Sequence, residues 1–138
     1  MAAPIDDAPY GAPGDVGAGI AVVEAIYAAF AVRDVEAAIG YMAEDIDLGL
    51  PATAGRAGRA EPYRGHAGVR EYFADLERVW QELTLRAIDI RAAAGAVIVF
   101  GSVQGRAGDE LVSRNVLWTW KLHDGRAVSM RANDMPSA

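Results

Sequence analysis

Residues 96–132, AVIVFGSVQGRAGDELVSRNVLWTWKLHDGRAVSMRA, decide the fold. Residues 96–103 form an apolar run rich in β-branched and aromatic side chains. Residues 111–122 and 127–132 flank an Asp124-Gly125 pair, a dipeptide suited to the positive torsions of a tight hairpin. Gly105 and Gly108 mark the preceding turn, and residues 84–91 read as a weaker strand ahead of it. Strands joined by short turns predict an antiparallel meander.

Upstream the period changes from two to that of a helix. From Ile20, the residues Val23, Ile26, Tyr27 and Phe30 recur at i, i+3, i+4, i+7, predicting a first amphipathic helix. Asp34 suits the N-cap of a short second helix that carries Val35, Ala38, Ile39 and Met42 on one face. Ile46, Leu48 and Leu50 alternate with Asp47 and Gly49 and stop at Pro51, as a half-buried strand does. Residues 52–65, rich in glycine and arginine, predict a mobile surface loop able to act as a lid. Arg56, Arg59 and Arg64 there read either as attractors for an anionic ligand or as a solvated face. Val69, Tyr72, Phe73, Leu76, Val79, Trp80 and Leu83 define a third, longer helix, whose Asp75, Glu77 and Glu82 read as its wet side. Helices first and strands after predict an α+β domain, with three N-terminal helices packed on a strongly curved antiparallel sheet. Such a sheet leaves a cone-shaped pocket beneath the helices.

Composition sets the outer bounds. The chain has 138 residues, enough for one domain, which we place at residues 18–138 behind a disordered tail at 1–17 that is dominated by Ala, Pro, Gly and Asp. A net charge of −6 opposes the counterion release that drives binding to nucleic acid or anionic lipid, so neither is an expected partner. With no cysteine, thiolate nucleophiles and cysteine-bound metals are excluded. His66 and His123 lie in separate glycine-flanked segments without helical metal-site spacing; His66 reads as a cap-region or exposed residue. No metal and no cofactor are expected. The absence of a signal-like or membrane-spanning run points to a cytoplasmic protein.

Four stretches, VVEAIYAAF (22–30), RDVEAAIGYMAED (33–45), EPYRGHAGVREYF (61–73) and LHDGRAVSMRA (122–132), together resemble the SnoaL-like and ketosteroid isomerase-like branches of the nuclear transport factor 2-like superfamily. The resemblance implies a homodimer through the outer sheet face, with Leu111, Asn115, Leu117 and Thr119 on that face. It also implies that the isomerase tyrosine falls on Ile26, its base on Leu50 and its protonated acid on Trp118. A leucine has no proton to exchange and an indole N–H is no acid near neutral pH, so steroid isomerisation is not expected. The aspartate that related epoxide hydrolases carry on the last strand falls on Ala132, leaving Asp134 as the nearest carboxylate.

With Trp118 inward, strand parity places Arg114, Val116, Trp120 and Leu122 inward too, and the resemblance points Met130, Ala132 and Asp134 inward on the last strand. The expected pocket wall is Ile26, Phe30, Met42, Leu48, Leu50, Phe73, Trp118, Trp120, Met130 and Ala132. Its expected catalytic residues are Asp134, Arg114 and Tyr72. A three-residue turn would set Arg114 opposite Asp134, and a two-residue turn would put Met135 there instead. That pair reads either as a general base with its orienter or as an ion pair stiffening the sheet end. Trp118 and Trp120 read as stacking surface or core, and Tyr72 as cavity donor or packing residue. Two functions stay open: cofactor-free acid–base catalysis (isomerisation, cyclisation, dehydration or hydrolysis) on a small apolar molecule, or a non-catalytic binding or dimerisation domain.

Overall fold

A computed structural model of the chain describes residues 13–93 and 95–135. Four helices, α1 (Pro13–Ala31), α2 (Val35–Ile39), α3 (Pro51–Arg56) and α4 (Gly65–Val79), pack on six strands. The strands are β1 (Met42–Gly49), β2 (Tyr63–Arg64), β3 (Glu82–Ala93), β4 (Ala96–Ala107), β5 (Glu110–His123) and β6 (Arg126–Asp134). They form one sheet in the order β2-β1-β6-β5-β4-β3. The α+β class holds, with one refinement: β1 runs parallel to β6, whereas every other neighbouring pair is antiparallel.

The first helix begins at Pro13, inside the segment expected to be a tail. A proline is tolerated at the first helical position because the N–H it lacks has no intrahelical partner there. The remainder of that tail, residues 1–12, lies outside the described residues. Asp34 caps α2 as expected, accepting from the Ala37 amide at 3.1 Å. The helix ends at Ile39, however, and Met42 opens β1 opposite Ala127 instead of closing the helix.

Residues 52–65 are not an open loop. Pro51 starts α3 and Tyr63 pairs with Leu48. Each loop arginine has a carboxylate: Arg56 grips Glu110 through Nε and Nη2 at 3.1 and 2.7 Å, Arg59 reaches Asp75 at 2.7 Å, and Arg64 lies 3.7 Å from Asp47. Asp75 is therefore no wet-face residue. It is 4% exposed and accepts from Arg59, Arg78 and the Tyr63 hydroxyl. Burial alone would raise its pKa, yet these three donors outweigh burial and hold it below the usual aspartate value. The result is a rivet between the 51–64 segment and α4, which argues against a freely swinging lid.

The core lies between the helices and the concave sheet face. Val23, Ile26, Ile46, Leu48, Val69, Trp120 and Met130 are all but sealed from solvent there. Gly101 on β4 is a tight point of this face. A Cβ added to it would meet the Arg86 carbonyl oxygen at 2.0 Å and the Trp118 ring at 2.5 Å.

Candidate functional site

The hairpin that carries the site uses the two-residue Asp124-Gly125 turn, with both residues at positive φ and His123 paired to Arg126. Between Leu122 and Lys121 the pairing slips by one residue, leaving Val128 as a bulge; beyond it Trp118 faces Ala132, and Val116 faces Asp134. The expected direct opposition of Arg114 and Asp134 is thus corrected, as is the alternative with Met135. Arg114 nevertheless reaches diagonally and donates from Nη1 to Asp134 Oδ2 at 3.0 Å. Their side chains are 43% and 61% exposed, so the pair sits at a rim and not in the interior.

Below that rim lies a cavity of about 300 Å³. Tyr27 and Phe30 of α1, Tyr72 of α4, Val116 and Trp118 of β5, and Met130 and Ala132 of β6 face it. Leu50, Pro51, Ala52 and Thr53 close one side; Trp80, Leu83, Leu85, Val103 and Val112 close another. Arg114, Asn133, Asp134 and Arg56 also line it. The aromatic rings meet edge to face, Tyr27 with Trp118 at 5.4 Å and Phe30 with Tyr72 at a tilted 5.9 Å, which fixes their orientations.

Of the expected pocket residues, Phe30, Leu50, Tyr72, Trp118, Met130, Ala132, Arg114 and Asp134 meet on this cavity. Ile26, Met42, Leu48, Phe73 and Trp120 do not reach its wall; they are buried in the surrounding core. Parity distinguishes inside from outside, but only depth distinguishes wall from core. Tyr27, Thr53, Trp80 and Val116 are cavity residues that were not on the expected list. Val116 shares the inward parity of Trp118, so its signal was present; Thr53 belongs to a helix that has no apolar periodicity.

The polar groups divide into two levels. At the mouth are the Arg114–Asp134 pair and Arg56, whose guanidinium lies 5.2 Å from the Trp80 ring centroid while it holds Glu110. Deeper in, Trp120 Nε1 donates to the Tyr27 hydroxyl at 3.1 Å and Trp80 Nε1 donates to Thr53 Oγ1 at 3.0 Å. Burial pushes both the Tyr27 and Tyr72 phenols well above the usual tyrosine pKa, so each stays protonated at neutral pH. Among the described residues Asp134 is the only carboxylate on the wall. The positions onto which the resemblance carries the isomerase catalytic residues are apolar or aromatic: Leu50 and Trp118 on the wall, Ile26 behind it. His66, at the start of α4, pairs through Nε2 with the Met42 carbonyl at 3.0 Å, away from this cavity.

Helices laid across a curved sheet with an apolar cone between them define an NTF2-like protein. The SnoaL-like domain model matches residues 23–130, and the chain belongs to that family. Among solved structures it is similar to TerC co-crystallised with polyporic acid, at 26% identity and a TM-score of 0.74, with 86% of this chain and 92% of that chain covered. It is also similar to an NTF2-like protein from Burkholderia pseudomallei, at 19% identity, a TM-score of 0.76, and 86% and 91% coverage. An LEH-like epoxide hydrolase from M. tuberculosis shares 17% identity at a TM-score of 0.69, covering 88% of this chain and 85% of that one. The last two likenesses concern the fold alone. No curated protein matches the chain significantly. Among the described residues no helix is long and apolar enough to cross a membrane.

Proposed function

We propose that the cavity receives a small, flat, apolar molecule and that Asp134 acts there as a general base, with Arg114 as its orienter, in cofactor-free acid–base chemistry. One observation carries this reading: a half-open, largely apolar cavity of about 300 Å³ has, among the described residues, a single carboxylate on its wall, Asp134, whose side chain is 61% exposed. A volume of that size suits a ligand of two or three fused rings. TerC, crystallised with polyporic acid, supports a small organic ligand, and the LEH-like neighbour supports a scaffold on which hydrolysis is one outcome. Isomerisation, cyclisation and dehydration use the same base and stay within the proposal. The test is deuterium exchange into an enolisable aromatic ketone by the native chain and by Asp134→Asn.

A second reading, a non-catalytic binder, is favoured by one specific observation: Asp134 is more than half exposed and already paired with Arg114. The exchange experiment separates the two readings, because a binder takes up the ketone without accelerating exchange.

A homodimer through the outer sheet face belongs to the same proposal. Leu111 is 74% exposed on that face, and Leu117 and Thr119 are half-buried beside the exposed Asn115. Sedimentation at micromolar concentration is expected to give twice the chain mass of 14.6 kDa; a monomer would contradict the assembly.

A further inference from the structure

Two indole groups dictate which way the hydroxyls of the inner wall point their protons. An indole N–H donates and cannot accept, so any oxygen it touches must accept from it. Trp120 Nε1 occupies a lone pair of the Tyr27 oxygen at 3.1 Å, and Trp80 Nε1 occupies a lone pair of Thr53 Oγ1 at 3.0 Å. Each relay therefore runs one way, from indole to hydroxyl. Tyr63, outside the cavity, spends its proton on Asp75. Among the described residues, by contrast, neither the Tyr27 nor the Tyr72 proton is given to a protein acceptor, and both rings line the cavity.

We propose that Tyr27 and Tyr72 form a donor clamp for the carbonyl or enolate oxygen of an aromatic ligand, with the polarity of Tyr27 set by Trp120. Hydrogen bonds in such chains polarise one another, and the apolar surroundings strengthen them further. Burial keeps both phenols protonated at neutral pH, which suits them to donate and not to act as bases. The inference rests on the small-molecule reading of the cavity and adds what part of the ligand enters first: an acceptor oxygen, leaving the opposite edge near Asp134.

The experiment uses 9-fluorenone and its oxygen-free analogue fluorene, titrated against the full chain by tryptophan fluorescence, with the carbonyl stretch of bound fluorenone read by infrared difference spectroscopy. In the native chain the stretch is expected at lower frequency than in a non-donating solvent. Tyr27→Phe and Tyr72→Phe should each weaken fluorenone about five- to tenfold, the scale of one hydrogen bond, and move the stretch back up. Neither should change fluorene affinity. Equal effects on both ligands, or an unshifted stretch in the native chain, would overturn the clamp and leave the cavity reading intact. Failure of both probes to bind the native chain would contradict the cavity reading and the clamp together. The native-chain spectrum needs no variant, so a folding defect in either phenylalanine substitution does not blunt the test.

Discussion

Asp134→Asn is expected to slow base-catalysed exchange of the α-protons of 1-indanone in D2O by about 10²- to 10⁴-fold, the usual contribution of a positioned general base. The substitution keeps the shape and removes the charge. Among the described residues no other carboxylate lines the wall to replace it. Asp75, the nearest alternative by burial, gives its oxygens to Arg59, Arg78 and Tyr63 and does not line the cavity. Arg114, which donates to Asp134 at 3.0 Å, fixes where the carboxylate points, so Arg114→Gln should lower exchange less than Asp134→Asn does. Proton NMR follows the loss of the α-proton signal directly. Exchange in Asp134→Asn at the native rate would eliminate Asp134 as the base, and no exchange above the buffer rate by the native chain would remove enolisation from the site.

Gly101→Ala is expected to destabilise the fold by about 3 kcal/mol, at the upper end of overpacking effects. The added methyl would lie 2.0 Å from the Arg86 carbonyl oxygen and 2.5 Å from Trp118 Cζ3. The carbonyl cannot retreat freely, because Gly101 pairs with Ala87 inside the β3–β4 ladder. The Trp118 ring cannot retreat without entering the cavity it lines or disturbing its edge contact with Tyr27. The change in melting temperature should be on the order of 10 °C for a chain of this size. Because Trp118 is displaced, fluorenone affinity should fall even where the variant stays folded. An unchanged melting curve would show that the sheet absorbs the methyl by bending, and that Gly101 does not set the position of the cavity wall.

Much of this was legible in the chain because it depends on period and parity. The run around Trp118 alternates, so the inward set from Arg114 to Leu122, Val116 included, followed without coordinates. The α1 and α4 stripes were likewise visible in Ile26, Phe30, Tyr72 and Leu76. Asp75 falls three residues from Tyr72 and one from Leu76, on the buried stripe, and an acid in that position announces a paired charge; reading it as wet ignored its own spacing. Other features rest on contacts that leave no local trace. Arg56 is 54 residues from Glu110, and the order of the 51–64 segment comes from such ion pairs and from Thr53 with Trp80, not from periodicity. The Val128 bulge has no glycine or proline to mark it, yet it moves Asp134 one step, from opposite Asn115 to opposite Val116. Cavity depth was also hidden. Trp118 and Trp120 share a face, and only packing decides that the first lines the cavity and the second stands behind Tyr27.

The central claim is that this cavity is a ligand site, and titration of 9-fluorenone into the native chain and into Ala132→Trp tests it most directly. Ala132 lies on the wall opposite Trp118, and an indole there would fill the space a ligand needs. Saturable quenching of tryptophan fluorescence in the native chain, weakened at least about 100-fold in a folded Ala132→Trp variant, is the predicted result. Equal affinity in the two proteins would place the ligand elsewhere and contradict the claim.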